Sequence, residues 1–520
     1  MQCTAKVDNS FLKGTRFRFF LTTGAFLLFF SSPGANYNFN DNCQRAFQNI
    51  ISLQFTEAQR LIHIENRSDP SNLIPLYLEN YIDFLTLVIG EDPTTYNALK
   101  VKRSPRIRAL EKGDKNSPYY RFCLGEVNLQ WALARIKFGD YTAAAFEIRK
   151  AYGLLRENES MHPDFLINKT GLGMIHVITG IIPENYQWIV GLMGIDGSLD
   201  QGMEEIRQVA SWSGTDRISN IYKTQALFYL AFLSANLEKN SRDALALLPV
   251  LQQQQTNEQE GRSPLLIFAR ATILMKNGRN DEALAVLQER NALTSTFSFY
   301  YLDFVEGIAR LNRLDYTGSE QFERFLKRFR GQNYLRAACQ KLAWIAILKG
   351  DTMQYHAYIG RLKVTGASNV DEDKQALHEA AKNVLPNVVL LRARLLFDGG
   401  YYSQALNQLL DSPLKKVIRS KHDLVEYTYR LGRIYHASGN DAKAIEYYDL
   451  TIRRGKKEPS YFAAGSAFQL GLVYENKGDY GKAEAAYRMC LSIDTPEYKT
   501  SLGEKARAGL NRMKKKIVRT

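Results

Sequence analysis

Cysteine is scarce in this 520-residue chain, and Cys3, Cys43, Cys123, Cys339 and Cys490 never fall into a C-x-x-C or mixed Cys/His spacing. A compact disulfide framework and a locally ligated zinc site are therefore excluded. Cys43 also lacks the Leu-[Ala/Ser]-[Gly/Ala] run that precedes a lipid-anchored cysteine, while Cys123, Cys339 and Cys490 lie in apolar helical stretches where a thiol serves as a small core group. Proline is sparse as well, 14 residues against 29 Tyr and 27 Phe, which argues against a turn-rich sandwich of short strands and for aromatic packing between helices. There is no GxxxxGK[ST], GxSxG or HExxH, and Gly171-Leu172-Gly173 is not completed as GxGxxG after a strand. The seven histidines are dispersed, and Glu204-Glu205, Glu258 with Glu260, and Asp371-Glu372-Asp373 read as helix-start and loop charge. No enzyme, metal or cofactor is expected on these grounds.

Long hydrophobic runs are missing too. The longest, Phe19 to Phe30, is broken by Thr22, Thr23 and Gly24, and falls short of the roughly 20 residues that span a bilayer. It follows Lys6, Lys13, Arg16 and Arg18 and precedes Ser31-Ser32-Pro33-Gly34-Ala35. Residues 1–35 thus read as a signal peptide or N-terminal anchor, and the body is expected outside the cytoplasm, in the periplasm or cell envelope. The net charge of +14 is spread along the chain and thickens only at Arg512-Met513-Lys514-Lys515-Lys516 and Arg519, so 511–520 reads as a basic tail.

What is present is repetition. Phe468-Gln469-Leu470-Gly471-Leu472-Val473-Tyr474, with Gly478 and Ala483 beyond it, aligns with Tyr429-Arg430-Leu431-Gly432-Arg433-Ile434-Tyr435, Gly439 and Ala444. The copies run on to Tyr487 and Tyr448. In a helical hairpin, Gly432 and Gly471 admit close approach of the second helix, Gly439 and Gly478 supply the positive φ that ends the first, and Ala444 and Ala483 pack the second against it. Tyr435 with Tyr448, and Tyr474 with Tyr487, are expected to fill the space beside the small residues. Ala405, Ala444 and Ala483 recur at intervals of 39, as do Ala244 and Ala283. Weaker copies follow the same grammar at Gly400 to Ala405, Gly278 to Ala283, Gly139 to Ala144 and Phe55 to Ala58, with further turns at Arg313-Leu314-Asp315 and Lys349-Gly350-Asp351. The pattern resembles the tetratricopeptide repeat (TPR), whose unit is about 34 residues. The five extra residues imply longer helices or links.

Between Ala144 and Ala244 the repeat is interrupted by Gly171, Gly173, Gly180, Pro183, Gly191, Gly194, Asp196, Gly197 and Gly202, which punctuate short apolar helices. Over about residues 168–210 this is similar to the signature of the tetratricopeptide repeat protein 39 family, the eukaryotic group that includes the yeast inclusion-body-clearance protein. The resemblance implies an interaction scaffold with no catalytic residues to carry over, and an exported chain would depart from that family's cytosolic and organelle-surface setting.

The expected fold is all-α, a right-handed α-solenoid of roughly eight to ten hairpins. Its expected divisions are 36–160, N-terminal hairpins; 161–215, the irregular segment; 216–385, divergent repeats; 386–510, well-defined repeats. First helices line the concave face of such a stack, so its ligand groove is expected at Asn387, Leu390, Arg394, Phe397, Glu426, Tyr429, Arg433, His436, Phe468, Leu472 and Glu475. That mixture suits a protein or peptide partner better than a phosphate backbone. Leu390 and Arg394 stand where the carboxylate clamp of chaperone-binding relatives has Lys and Asn, so a C-terminal Glu-Asp peptide is not the expected ligand. Two rival readings remain: an enzyme or metal site in the irregular segment built from His162, His176, Asp196 and Glu204, and contact of the basic tail with an anionic membrane surface or nucleic acid.

Overall fold

The computed structural model describes residues 35–182, 187–237, 243–256, 263–294 and 296–517. The leader up to Gly34, Pro183, Glu258, Glu260 and Arg519 lie outside the described residues. Four groups of helices follow one another, and no β-strand occurs among the described residues. The first group is α1 (Asp41–Ile51), α2 (Phe55–Ser68), α3 (Ile74–Gly90), α4 (Pro93–Leu99), α5 (Arg103–Leu110), α6 (Pro118–Lys137) and α7 (Tyr141–Met161). The second is α8 (Asn168–Ile181), α9 (Gln187–Met193), α10 (Leu199–Ala210), α11 (Arg217–Leu237), α12 (Leu248–Thr256), α13 (Pro264–Lys276) and α14 (Asn280–Gln288). The third is α15 (Tyr301–Asn312), α16 (Gly318–Arg328), α17 (Leu335–Leu348), α18 (Thr352–Val364) and α19 (Asp371–Ala381). The fourth is α20 (Val388–Asp398), α21 (Tyr402–Leu410), α22 (Leu414–Val417), α23 (Lys421–Ala437), α24 (Asp441–Gly455), α25 (Phe462–Asn476), α26 (Tyr480–Ser492) and α27 (Lys499–Ile517). The chain is an all-α solenoid of helical hairpins, as its repeats imply.

One turn builds most of the hairpins. In the last two repeats, Gly439 (φ +77°) and Gly478 (φ +76°) are left-handed, and the next amide reaches back to close the first helix, Asn440 N–H to the Tyr435 carbonyl (2.8 Å) and Asp479 N–H to that of Tyr474 (3.0 Å). The same bond runs from Asp140 to Arg135, Arg279 to Leu274, Asp351 to Ala346 and Tyr401 to Leu396. It also runs from Gln54 to Asn49 and from Asp315 to Arg310, where the left-handed position is held by Leu53 and Leu314 instead of glycine. After the turn, Asn440 and Asp479 cap the second helix by accepting from the Lys443 and Lys482 amides. Ala58, Ala144, Ala283, Ala405, Ala444 and Ala483 then sit fully inside the hairpins. Ala244 is equally buried but lies on a short 3₁₀ turn, Asp243–Leu247, with the preceding turn outside the described residues.

A β-carbon on Gly432 would lie 2.6 Å from the Tyr448 ring, and one on Gly471 would enter the Tyr487 ring. Leu431, Leu470, Tyr448 and Tyr487 are buried around these contacts. The expected companions behave differently: Tyr435 stacks on Tyr447 (5.6 Å, 15°), and Tyr474 lies half-buried under the Lys482 ammonium. Each meets the second helix beside the glycine, and the gap itself is filled from that helix by the Tyr448 or Tyr487 ring.

The irregular segment is a hairpin with one helix looped out, since α8 packs on α10 and α9 packs on α7. Gly173 and Gly202 make the contact: a β-carbon on Gly173 would lie 2.7 Å from the Gly202 carbonyl oxygen, and one on Gly202 would lie 2.7 Å from the Val177 amide nitrogen. Ser198 caps α10 by accepting from the Gln201 amide.

The stack also closes on itself. Ser263 Oγ donates to the Ile51 carbonyl (2.8 Å), Phe297 N–H to that of Leu53 (2.6 Å), and Asn333 Nδ2 to Glu91 (2.6 Å). Further along, the turn at Gly400 sits on the turn at Gly278, pinned by the Tyr401 hydroxyl between Asn280 (3.1 Å) and Asp281 (2.7 Å). At the far end, the expected basic tail is not free over its described part: α27 continues through residues 511–517, Met513 is buried, and Arg512 pairs with Glu475 (2.6 Å). Apolar spacing on α27 explains the difference, because Ala506, Gly509 and Met513 form a face that covers Tyr487.

Candidate functional site

Several helices turn one face to the interior, and the spacing of their residues shows why. On α3 that face is Tyr81, Phe84, Leu85 and Val88; on α11 it is Gln225, Phe228, Tyr229, Phe232 and Asn236; on α13 it is Leu265, Phe268, Thr272 and Met275. Intervals of three and four place such residues along one side of a helix. Tyr301, Val305 and Ile308 of α15, Phe397 and Asp398 of α20, Arg433 and His436 of α23, and Gln469 of α25 complete the wall. With the solenoid held by the contacts at Leu53, Glu91 and Gly278, these faces line one partly open cavity of about 1300 Å³. Phe232 stays 41% exposed within it, a large aromatic surface presented to whatever enters.

The polar groups in the wall are ordered. Gln225 Nε2 donates to the Tyr81 hydroxyl (2.7 Å), which lies 3.0 Å from that of Tyr229. Glu91 is held by Lys137 (2.6 Å) and Asn333. Arg433 lies over Phe397 (4.8 Å to the ring centroid) and donates to the Tyr429 hydroxyl (3.0 Å). His436 contacts the Tyr448 hydroxyl (3.3 Å), and removal from water pushes its imidazole pKa down.

Of the residues expected in the groove, Phe397, Arg433 and His436 line this cavity. The others stand elsewhere. Asn387 is buried as the N-cap of α20, accepting from the Val389 and Leu390 amides and donating to the Val417 carbonyl (2.9 Å). Tyr429 is 3% exposed behind Arg433, and Glu426 is consumed by Arg430 (2.8 Å). Phe468 packs on Tyr487, and Glu475 binds Arg512. Leu390 is in the core and Leu472 packs against it, while Arg394 lies over Trp344 (4.8 Å). The sequence reading missed the aromatic wall on α3, α11 and α13. The signal was available in Phe228 and Phe232, one helical turn apart, but nothing in the degenerate repeats there marked which helix faces inward.

Of the groups expected to build a site in the irregular segment, His176 pairs with Glu205 and not with Glu204. His176 is buried against Glu205 (2.6 Å), Gln201 and Tyr152, whereas Glu204 pairs with Arg207 on the surface and Asp196 is exposed. His162 ends α7. No grouping of three or more His, Cys, Asp or Glu suited to a metal ion occurs among the described residues. Cys43, Cys123, Cys339 and Cys490 are buried and free, and burial pushes the Cys43 thiol up to about 12 and those of Cys339 and Cys490 up to about 11. Among the described residues no helix is long and apolar enough to cross a membrane.

Comparison with known proteins places these features. Residues 166–297 match the family described as Iml2/Tetratricopeptide repeat protein 39, and residues 428–460 and 464–496 each match a tetratricopeptide repeat. No curated protein matches the sequence. Similar solved structures include a human IFIT1 dimer with PPP-AAAA (14% identity, 80% of this chain and 95% of that one, TM-score 0.34). The TPR domain of P58(IPK) is similar at 12% identity over 92% and 98% of the two chains, with a TM-score of 0.21. The APC/C hetero-tetramer Cut9–Hcn1 gives 12% identity over 91% and 97%, with a TM-score of 0.22. Likeness this distant says nothing about what the chain binds. The chain is a tetratricopeptide-repeat protein whose solenoid incorporates an Iml2/tetratricopeptide repeat protein 39-like segment.

Proposed function

We propose that the protein is a non-catalytic scaffold that captures a segment of a partner protein inside its closed solenoid. The observation carrying this reading is the convergence of the inward faces of α3, α11, α13, α15, α20 and α23 on one aromatic-walled cavity of about 1300 Å³. Such a concave, mostly apolar site with few polar anchors is suited to burying side chains of an extended or helical peptide. Residues 1–35 support delivery of this scaffold to the periplasm or cell envelope, through a leader with basic residues before its apolar run.

The test is site-specific photocrosslinking in the native cell, with the photoreactive side chain at Phe232 in the cavity and, as control, at Met353, which is 84% exposed on α18. A discrete peptide joined to position 232, absent at 353 and lost on Phe268→Asp, is the expected result. Identical products from both positions would overturn the reading. Intact mass of the purified protein and protease protection in spheroplasts test the delivery: a chain that retains residues 1–35 and is shielded with cytoplasmic markers would reject export.

A further inference from the structure

The hairpins of the fourth helix group have two ends. At one, the turns at Gly439 and Gly478 join first helix to second; at the other, the chain leaves one hairpin and enters the next. That second end is crowded with positive charge. Lys415 and Lys416 of α22, Arg419, and Lys421 at the start of α23 are exposed, and so are Arg453 and Arg454 at the end of α24 with Lys456 and Lys457 just beyond it. Three contacts bring the two stretches onto one surface. Asn387 Nδ2 donates to the Val417 carbonyl (2.9 Å) and to Asp423 (3.0 Å), which fixes α22 against α23. Lys421 pairs with Glu458 (2.6 Å). Gly455 lets the end of α24 close on α23, since a β-carbon there would lie 2.7 Å from a Val425 methyl.

Few carboxylates face this surface. Asp423 is buried and takes Arg419 (3.3 Å), Glu458 is spent on Lys421, Asp449 lies one turn before Arg453 on α24 and feels its charge, and Asp411 is exposed ahead of α22. Lys415, Lys416, Arg454, Lys456 and Lys457 make no ion pair among the described residues. Fold stability does not account for the arrangement. Cations at the C-terminus of α24 suit the helix dipole, but Arg419 and Lys421 stand at the start of α23, the positive end of that dipole, where a cation is disfavoured. Positive charge held there, largely without partners, suits an anion from outside the chain.

Apolar side chains stand among the cations and decide which anion. Leu414 is 62% exposed and Leu410 50%, and Val384 and Leu385 are exposed in the link that leads to Asn387. Residues 410–422 and 453–458 contain no Phe, Tyr or Trp, so the bases of a nucleic acid would meet no ring on which to stack. Lysines flanking exposed leucines match the headgroup region of a bilayer instead, where ammonium groups meet phosphates and apolar groups sink below them.

We propose that this end of the fourth helix group docks on the surface of an anionic phospholipid bilayer, with Lys415, Lys416, Arg454 and Lys457 among the headgroup phosphates and Leu410 and Leu414 in the layer beneath. The contact is distinct from peptide capture, because His436 on the cavity wall lies fifteen residues beyond Lys421 on α23, about 20 Å along the helix axis.

The test is co-sedimentation of the full chain with phosphatidylcholine vesicles in which one lipid in four is, or is not, phosphatidylglycerol. The anionic vesicles are expected to bind at least about tenfold more tightly, with the difference shrinking as salt is raised. Lys415→Gln, Lys416→Gln and Lys457→Gln together remove three exposed cations without an ion-pair partner, and are expected to abolish most of that preference, each being worth about fivefold. Leu414→Ser is expected to weaken binding about threefold or more, and Met353→Ser, on exposed α18, to leave it unchanged. Equal binding of the two vesicles would overturn the proposal, and a preference that survives in the triple variant would overturn its assignment to this surface. A Leu414→Ser chain that binds as the wild type does would reject burial of the leucine in the bilayer. A polynucleotide bound more tightly than the anionic vesicles, and released by the triple variant, would replace the lipid with nucleic acid. Peptide capture in the cavity is expected to be the same in the triple variant, so failure of either reading leaves the other testable.

Discussion

Gly432 and Gly439 belong to the same repeat and answer to different constraints. Gly432 faces the Tyr448 ring, whereas Gly439 has open space around its missing β-carbon but a φ of +77°. Gly432→Ala is therefore predicted to cost about 1–3 kcal/mol through overpacking, and Gly439→Ala about 1 kcal/mol through backbone strain. Urea unfolding of the two variants would separate these; a smaller cost at 432 would mean that the Tyr448 ring swings aside freely. Glu126 gives a second residue-scale prediction. Burial pushes its carboxyl up to about 7, so below pH 4.5 both folded and unfolded chains hold the proton, and between 4.5 and 7 only the folded chain does. Its favourable share of stability is therefore full below 4.5, is lost progressively between 4.5 and 7 and is gone once pH has risen through 7. Glu126→Gln is predicted to match the wild type near pH 4.5 and to exceed it at pH 8 by on the order of 3 kcal/mol, seen as a melting temperature that varies less with pH. The glycines and alanines were readable in the sequence because repetition exposed them. Asn387 and Tyr429 were not, because spacing gives a side chain's direction and says nothing of the cap or the neighbouring cation that claims it.

Elements differ in how far the sequence announced them. The hairpin α8/α10 was visible as a run of glycines, yet its geometry was not, since the pairing skips α9 and depends on Gly173 meeting Gly202. The terminal helix was hidden by its charge: a basic run reads as a solvated tail, and only its packing shows Ala506, Gly509 and Met513 as one buried face. This helix covers the face that α25 and α26 would otherwise expose. Ending the chain after Tyr498 is thus predicted to uncover Tyr487 and free Glu475, and to raise hydrogen exchange through α25 and α26 while the α1–α7 region keeps its protection. Unchanged exchange in α26 would show that α27 is dispensable to the stack.

At the scale of the whole molecule, function depends on closure between segments that are far apart in sequence. The residues that wall the cavity come from helices as distant as α3 and α25, and no local pattern could have brought Phe84, Phe232, Phe268 and Arg433 together. The same distance makes the closure points vulnerable. At Gly400 a β-carbon would lie 2.6 Å from the Gly278 α-carbon, with backbone on both sides and no side chain able to move away. Gly400 also adopts a φ of +82°, so a β-branched residue is excluded twice over. Gly400→Val is predicted to part the two turns and detach Tyr401 from Asn280 and Asp281, without unfolding hairpins that are stabilised mainly by their nearest neighbours. Small-angle scattering should then report a larger radius of gyration at unchanged helical circular dichroism, and peptide affinity should fall by about tenfold or more as the cavity wall separates. A variant that expands yet binds as before would place the capture surface on a single hairpin, and one that keeps its dimensions would show that the Leu53 and Glu91 contacts suffice to hold the solenoid shut.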